Sequence, residues 1–421
     1  MSEGNNAIGE SVEDFRLRAR AWIKANLGPI QPFDLTQDCA DDEEELVAVA
    51  RDRALQRKLY DAGFAGLCFP KEYGGQGLTP EHNRAFNEEL AGHEYPSRFT
   101  VPTFTPCATV IMEFGTPEQK AAHIPAILKG DEFWAQMLSE PGGGSDVAGA
   151  TTSAVRDGDD WILNGAKVWT SRAWWHDWGI VLARTNWNVP KHQGLTVFLM
   201  RLQQPGVEIR RIERLNGESE ACEEFMTDVR IPDSDRVGEI DGGWTVGQRW
   251  MFHERMGHNS PYVTQPVGLS HGRSEVTPVG IARQAGRLED PAAQELIGES
   301  RALGLVANEL QRRLASGAAA GKGNTDMSSV ARLFRGMANV RQRTIAFDLA
   351  GAGAAGWTEE ESDGVGVQGM EFLMRQVSCI GGGTTEISRN VIAERVLGMP
   401  REASGDKGVA FREVPRGPKR G

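Results

Sequence analysis

Hydrophobic positions recur with a helical period in the C-terminal half of the chain and as short apolar runs in the middle. In the C-terminal half, apolar side chains fall three, four or seven positions apart, as at Leu296, Leu303, Val306, Leu310 and Leu314. This spacing places them on one face of an α-helix. Runs rich in β-branched and aromatic residues occupy 195–202, 206–212 and 223–232. These runs predict strands, followed by a series of amphipathic helices.

Helix start signals predict that the first ~130 residues are also mostly helical. The segments "SVED" at 11–14, "TPEH" at 79–82 and "TPEQ" at 116–119 each place a serine or threonine at an N-cap position. In the last two, proline follows at the first helical position, and Gly130 supplies a stop. The acidic run "DDEEE" at 41–45 is interpreted as a solvated helix start or loop, because no histidine lies nearby at metal-ligand spacing.

The middle of the chain carries two dipeptides that are typical of β-hairpin turns. They are Asp157-Gly158 and Asn164-Gly165, separated by one short predicted strand. We therefore expect an antiparallel sheet or small barrel. The whole pattern predicts an α+β fold whose parts are an all-α N-terminal domain (1–133), a central antiparallel β-barrel-like domain (134–240), a C-terminal four-helix-bundle domain (241–400) and a flexible tail (401–421).

Composition excludes several classes of protein. The chain of 421 residues has a formal net charge of −12, which argues against nucleic acid as the main partner. No run approaches the ~18 consecutive apolar residues of a membrane span, and the acidic first residues lack the apolar core of a secretory signal. Five cysteines are scattered without a CxxC pair. We expect a cytoplasmic protein with reduced thiols and no metal site.

Two glycine-rich stretches are candidates for ligand binding. In "EPGGGSD" (140–146) the bare backbone could approach a ligand and Ser145 could offer its hydroxyl to a phosphate oxygen, although a tight turn is the simpler interpretation. In "CIGGGTTEIS" (379–388) the glycines could cradle an anion before a helix or could mark the place of a missing side chain. A third stretch, "GAGAAG" (351–356), follows a helical pattern and so fails the test for a dinucleotide-binding turn.

Taken in order along the chain, these motifs resemble the acyl-CoA dehydrogenase family, including its actinobacterial FadE-like members. The resemblance runs from "GFAGLCFPKEYGGQGL" through "MLSEPGGGSDVAGATT" and "NGAKVWTS" to "GGGTTEISRNVIAERVLG". It implies helical, β and helical domains, an FAD cofactor and α,β-dehydrogenation of an acyl-CoA. In such a reaction a base removes the α-proton, hydride passes to flavin N5, and the electrons then go to an electron-transfer flavoprotein.

The resemblance also implies the residues that contact FAD. Ser139 would hydrogen-bond the flavin ring, Ser145 would lie near the pyrophosphate and the CoA, and Ser171 would contact N5. Trp169 would pack against the isoalloxazine, although it could instead be one of several tryptophans that serve only packing. The full cofactor set implied by the resemblance is Gln136, Met137, Leu138, Ser139, Ser145, Trp169, Thr170, Ser171, Thr384 and Glu386.

The catalytic base raises a specific question, because many family members carry a glutamate at the position that is Gly382 here. Other members place the glutamate on a helix early in the C-terminal half, where this chain has Glu254. The resemblance therefore implies that Glu254 is the base and that Phe252, Arg255, Gly382 and Ser145 contact the substrate. The alternative is that Glu254 is an ordinary exposed helix residue paired with a neighbour.

Departures from the family pattern leave the oligomeric state open. The "RxxFG" segment of the C-terminal domain is absent, and Asp348 replaces a glutamine that precedes a Gly-Gly pair. We expect a homodimer or homotetramer, with a hetero-oligomer as the alternative. Two other functions remain candidates: a non-catalytic or FAD-sharing subunit, and a family offshoot with different flavin chemistry.

Overall fold

The computed structural model describes residues 9–30, 41–256, 260–267, 277–319, 327–356 and 366–415. The chain divides into two compact units. The first comprises Met1–Ile212, Ser219–Leu269 and Gly405–Gly421, and the second comprises Glu213–Glu218 and Ser270–Ser404. Within the described ranges, no helix combines the length and apolar character that crossing a membrane requires.

The N-terminal part of the first unit is helical, as predicted. Its helices are α1 (Val12–Asn26), α2 (Asp42–Asp61), α3 (Pro80–Glu89), α4 (Thr109–Phe114) and α5 (Pro117–Lys129). The predicted caps are confirmed. Ser11 accepts a hydrogen bond from the Asp14 amide at 3.1 Å, and Thr116 and Gln119 exchange hydrogen bonds at 3.0 and 3.2 Å as a capping box. Gly130 ends α5 in the left-handed conformation.

The acidic run at 41–45 is the start of α2, which confirms its interpretation as a helix start. Asp41 is the N-cap and accepts from the Glu44 amide at 2.9 Å. Negative charge in the first turn is favourable there because the helix dipole is positive at its N-terminus. Glu45 is buried and its carboxylate binds the Arg98 guanidinium at 2.7 Å. The run therefore starts a helix and anchors it.

The middle of the chain forms one sheet of eight strands. They are β1 (Trp134–Met137), β2 (Ser153–Asp157), β3 (Asp160–Ser171), β4 (Trp178–Arg184), β5 (Leu195–Arg201), β6 (Val207–Ile212), β7 (Ala221–Pro232) and β8 (Arg236–Val237). Their order is β6-β7-β3-β2-β4-β5-β8, with β1 paired to β4. The sheet is open, so a closed barrel was the wrong alternative. It is also not wholly antiparallel, because β1 and β4 run parallel.

Of the two predicted hairpin turns, one is confirmed and one is wrong. Asp157 pairs with Asp160 across the β2–β3 turn, where Gly158 has a φ of 62°. Asn164-Gly165 instead lies inside the 12-residue β3 as a bulge against β7. Gly165 has a φ of 155°, and a Cβ there would lie 2.6 Å from the Thr152 Cα. The glycine is needed for this close approach of two backbones rather than for a turn.

One further helix, α6 (Gly243–Met256), follows the sheet and belongs to the first unit. The second unit is helical, as predicted for the C-terminal region. Its described helices are α7 (Pro278–Gln284), α8 (Pro291–Ala319), α9 (Ser328–Ala350), α10 (Ala352–Ala355), α11 (Val367–Met374) and α12 (Thr385–Val391). A core that includes Ile281, Ile345 and Leu349 joins α7 to the long helix α9. The "GAGAAG" segment forms the short α10 and its flanks, so it follows a helix and not a strand.

The C-terminal tail differs from the flexible segment that we expected. Phe411 is only 3% exposed, and the Arg184 guanidinium carbon lies 3.7 Å from the centre of its ring. Nearby, Asp406 forms an ion pair with Lys191 at 2.6 Å. An aromatic side chain that covers a buried guanidinium holds residues 405–415 against the sheet. Residues 416–421 lie outside the described residues.

Candidate active site

Glu254 lies on α6, and its carboxyl group points into the protein. The residue as a whole is half-buried, but protein atoms closely surround the carboxyl group. Burial raises its pKa, because a charge is less stable away from water, while the neighbouring Arg255 and a hydrogen bond with Gln136 oppose that rise. The structure therefore does not support the alternative that Glu254 is an ordinary exposed helix residue.

Gln136 is oriented by a second hydrogen bond. The fully buried Trp250, one turn before Glu254 on α6, donates its Nε1–H to Gln136 Oε1 at 2.9 Å. With its oxygen occupied in this way, the Gln136 amide nitrogen is the group left to donate to Glu254. The glutamate and the glutamine are thus fixed relative to each other.

A charged cluster on α4 holds α6 in place. The Glu113 carboxylate accepts two hydrogen bonds from Arg249, at 2.7 and 2.6 Å. The same carboxylate lies 2.7 Å from His253 Nε2. The His253 carbonyl in turn accepts from the Thr105 hydroxyl at 2.9 Å. Because His253 precedes Glu254 directly, these contacts fix the backbone that carries the carboxyl group.

The two sequence segments expected to line a flavin are neighbours in the structure. Residues 136–139 comprise the end of β1 and the residues after it, and residues 169–171 end β3. The Val168 amide donates to the Ser139 carbonyl at 3.0 Å, and Lys167 Nζ donates to the Leu138 carbonyl at 3.2 Å. Segments about 30 residues apart in sequence therefore form one surface.

Trp169 stands out from this surface because of a second bulge in β3. It has a φ of 67°, which non-glycine residues rarely adopt, and its side chain is 62% exposed. Arg172 is also left-handed, with a φ of 55°. Between them, Ser171 is exposed, whereas Thr170 is buried and donates its hydroxyl to Glu224 at 2.8 Å. The Thr170 side chain is therefore directed into the sheet.

The loop at 140–146 is anchored at its first residue and open at Gly142 and Gly143. The Glu140 carboxylate accepts from the Thr151 amide at 2.7 Å, from the Thr152 amide at 2.9 Å and from Lys167 Nζ at 2.9 Å. These partners lower its pKa to about 2 although burial opposes the shift. A Cβ at Gly142 or Gly143 would meet no described protein atom within 4 Å. Internal packing therefore does not explain these glycines, and Ser145 beside them is exposed.

The remaining predicted site residues of the second unit lie around the triple glycine. Gly382 has a φ of 70° and Gly383 a φ of 107°, so the turn before α12 itself requires glycine. The Thr384 hydroxyl caps α12 by accepting from the Ile387 amide at 3.1 Å. This hydrogen bond accounts for the Ile387 amide and leaves open whether the glycine backbone contacts a ligand. Glu386 is exposed and lies 3.6 Å from Arg389.

Sequence reasoning missed three buried ionisable groups next to the predicted surface, namely Glu140, Lys167 and Glu224. The only available signal was weak. Lys167 lies between Ala166 and Val168 in a predicted strand, and Glu224 lies two positions from Cys222 and from Met226. A buried ionisable group at such a position needs a partner from another strand. Which partner it finds depends on strand order, and sequence spacing does not reveal that order.

The sequence and fold correspond to a known class of enzyme. The acyl-CoA dehydrogenase family profiles match in chain order: the N-terminal domain at residues 10–131, the middle domain at 135–229 and the C-terminal domain at 276–397. Together they cover most of the chain, which therefore belongs to the acyl-CoA dehydrogenase family, a family of oxidoreductases. No group of three or more potential metal ligands occurs in the described part of the chain.

Similar proteins support this assignment over nearly the full length. The chain is 34% identical over 400 residues to acyl-CoA dehydrogenase IpdE1 of Mycobacterium tuberculosis, covering 94% of this chain and 100% of that protein. The solved structure of the Tcur3481-Tcur3483 steroid ACAD matches with a TM-score of 0.73 and 26% identity, covering 94% and 99%. The ChsE4-ChsE5 complex from Mycobacterium tuberculosis matches with a TM-score of 0.69 and 26% identity, covering 94% and 100%.

Proposed function

We propose that this acyl-CoA dehydrogenase uses FAD and that Glu254 is the base that removes the α-proton of the acyl thioester. The observation that carries the proposal is the position of its carboxyl group. It is shielded from water and hydrogen-bonded to Gln136, the first residue of the segment expected to lie along the flavin. Of the carboxylates in the predicted site, Glu254 has the environment that a base requires, since burial makes its conjugate acid weaker.

The residues of the first unit fit an FAD. Trp169 presents an exposed aromatic face and Ser171 is exposed. The strand that carries these two residues contacts Leu138 and Ser139 through Lys167 and Val168. The glycines of the 140–146 loop leave bare backbone beside Ser145, which suits the close approach of a pyrophosphate. When bound, FAD supplies the two-electron chemistry by accepting the hydride from the β-carbon.

The chain's own residues supply placement and proton transfer. As the α-carbon loses its proton to the Glu254 carboxylate and the β-carbon loses a hydride, a carbon–carbon double bond forms and the thioester stays intact. Phe252 and Arg255 lie on the same helix and are both exposed, so they are available to the acyl-CoA. Gln136 keeps the carboxyl group directed during the transfer. In line with the family resemblance, we propose an electron-transfer flavoprotein as the electron acceptor and a cytoplasmic location.

For the substrate, we propose an acyl-CoA with a bulky, polycyclic acyl group. Two observations support this choice. One of the similar solved structures is a steroid ACAD, and position 382, where many family members carry the catalytic glutamate, has no side chain here. A Cβ at Gly382 would meet no described protein atom within 4 Å. Comparing steroid-side-chain and straight-chain acyl-CoAs in the same assay tests this part separately.

The direct test is anaerobic reduction of the bound flavin by an acyl-CoA, followed by the loss of its visible absorption. Glu254→Gln keeps the size and hydrogen-bonding capacity of the side chain but removes the base. We expect bleaching to slow by about 10²–10⁴-fold with the FAD content unchanged. Glu239→Gln, a change at an exposed glutamate just before α6, serves as the matched control. Wild-type rates in Glu254→Gln would show that another group takes the proton.

A hetero-oligomer is a second candidate for the assembly. Two similar solved structures each carry a pair of protein names, Tcur3481-Tcur3483 and ChsE4-ChsE5. Analytical ultracentrifugation of the purified chain, together with the flavin-to-chain ratio, separates the two cases. A full complement of FAD in a homo-oligomer supports self-sufficiency. A flavin-poor chain that acquires FAD on co-expression with a second dehydrogenase subunit supports a shared site.

A further inference from the structure

Behind the surface formed by residues 136–139 and 169–171 lies a buried cluster of four polar side chains. Its members are Glu140, Lys167, Thr170 and Glu224, and each of them is at least nine-tenths buried. Lys167 Nζ binds Glu140 Oε1 at 2.9 Å, and the Thr170 hydroxyl donates to Glu224 Oε2 at 2.8 Å. A buried cluster of this kind is costly unless its groups satisfy one another, so its arrangement matters for the surface above it.

The bulge at Trp169 explains how this cluster can form. In a regular strand, residues three positions apart face opposite sides of the sheet. Lys167 pairs with Glu224, and Thr170 pairs with Cys222, while the register shifts between Val168 and Thr170. Because Trp169 is the extra residue, Lys167 and Thr170 face the same side of the sheet. There Thr170 donates its hydroxyl to Glu224, and the positive charge of Lys167 acts on Glu224 without a hydrogen bond between them. The same bulge exposes Trp169. The buried contact and the exposed indole are two consequences of one backbone irregularity.

The cluster contacts both segments of the surface. Lys167 Nζ holds the Leu138 carbonyl at 3.2 Å, and Glu224 holds the Thr170 hydroxyl. Ionisation of Glu224 would therefore disturb hydrogen bonds to both segments, at Leu138 and at Thr170. An ionised Glu224 would compete with Glu140 for Lys167, and it would draw the ammonium group away from the Leu138 carbonyl.

The charged groups that the structure describes around Glu224 supply no positive charge that is available to neutralise its carboxylate form. Lys167 on β3 is the cation that faces it, and this lysine already pairs with Glu140. Arg184 on β4 lowers the pKa of Lys167 by repulsion of like charges. Glu223 and Cys222 are ionisable groups on the strand of Glu224 itself, and the positive charge of Arg211 on β6 acts on Cys222. Within the described residues, Glu224 Oε1 has no hydrogen-bond partner. Burial accordingly raises the pKa of Glu224 to about 8, so the carboxyl group is protonated at neutral pH.

We propose that Glu224 is a positioning residue for FAD: its carboxyl group accepts the Thr170 hydroxyl and so holds the bulge that presents Trp169 and Ser171. This inference rests on the proposed FAD site. It assigns a role to a residue that would not touch the cofactor. It also makes cofactor affinity depend on pH through a group in the interior of the sheet.

The test is the dissociation constant of FAD, measured by titrating the flavin-depleted protein and following flavin fluorescence from pH 6.5 to pH 9. If the ionised form did not bind, the wild-type constant at pH 9 would be about tenfold that at pH 7. Glu224→Gln keeps a neutral acceptor for Thr170, and we expect it to match the wild type at pH 7 and to lose the rise. Thr170→Val removes the hydroxyl at constant shape and should weaken FAD binding about five- to tenfold at pH 7.

Thr196→Val is the matched control. Thr196 is a fully buried threonine of the same sheet, and its hydroxyl oxygen lies 2.7 Å from the Thr185 hydroxyl oxygen, away from the cluster. It should lower the melting temperature as Thr170→Val does but leave the FAD constant unchanged. The inference is overturned if Thr170→Val binds FAD as the wild type does, or if Glu224→Gln retains the full pH dependence. If the wild type itself did not bind FAD, both this inference and the proposed function would be overturned. If the wild type binds FAD but the variants behave as above, only the role of Glu224 is overturned.

Discussion

Replacing Glu224 by glutamine should make the protein more stable at alkaline pH, whether or not FAD is bound. Glu224 is fully buried, and its pKa in the folded protein is about 8, against a usual value of 4.5. When folding raises the pKa of a carboxyl group, the group contributes to the free energy of unfolding. This contribution is complete at pH values below the pKa of the unfolded chain. It is lost as the pH rises toward the pKa of the folded protein. The loss should therefore extend from about pH 4.5 to about pH 8 and then level off.

The size of the effect follows from the size of the shift. A difference of about three and a half pKa units corresponds to roughly 5 kcal/mol of unfolding free energy, which is an upper bound. For a chain of 421 residues this corresponds to a change in melting temperature of roughly 5 °C. Glutamine cannot ionise, so the variant should escape this loss while keeping an acceptor for the Thr170 hydroxyl.

The assay compares the melting temperatures of Glu224→Gln and the wild type, both free of flavin, at pH 5, 7 and 8.5. The difference should be smallest at pH 5 and should increase in favour of the variant toward pH 8.5. Glu223→Gln, one residue earlier on the same strand and half-buried, controls for the loss of a negative charge. A difference that stays constant across the three pH values would refute the reasoning, because it would mean that Glu224 ionises equally in the folded and unfolded states.

Three further substitutions test the fold. Gly165→Ala should destabilise the protein by about 1–3 kcal/mol, since its Cβ would lie 2.6 Å from the Thr152 Cα; an unchanged melting temperature would contradict the close backbone approach. Phe411→Ala should cost about 3 kcal/mol by uncovering Arg184, and it should make the tail a faster site of proteolysis; a wild-type digestion pattern would show that the tail is not held by this contact. Thr116→Ala should cost about 1 kcal/mol in thermal denaturation, whereas Thr116→Ser should restore the cap.

Local signals in the sequence were sufficient for the helix starts, the first hairpin turn and the three-part organisation of the chain. A cap such as that of Thr116 with Gln119 depends on residues three positions apart, so it can be predicted from the local sequence alone. The family motifs likewise indicated the segments proposed to line the flavin, since the residues of each motif are consecutive. The identity of Glu254 as the candidate base came from the same source, because the glycine at 382 left a carboxylate to be found elsewhere.

Local signals failed where the backbone conformation depends on contacts with distant segments of the chain. Asn164-Gly165 is a turn signal by itself, but it becomes a bulge because β7 pairs along the whole of β3 and Thr152 leaves no room for a Cβ. The parallel pairing of β1 with β4 joins segments about 45 residues apart, and alternation of apolar residues carries no information about it. The tail was misjudged for a similar reason, since Phe411 is buried by Arg184, far away in the sequence.

What the sequence by itself determined is therefore the family, the order of helical and β regions and the residue types available for chemistry. The tertiary structure alone decided the environment of each ionisable group. The family resemblance indicated Glu254 as a candidate base, but the sequence did not show that its carboxyl group is shielded, or that Glu224 is buried whereas Glu239 is exposed. The properties of Glu254 and Glu224 arise from burial and from partners on other elements, Gln136 for one and Thr170 for the other. A pKa depends on the solvent and charges within a few ångströms in space, and these are set only when the chain has folded.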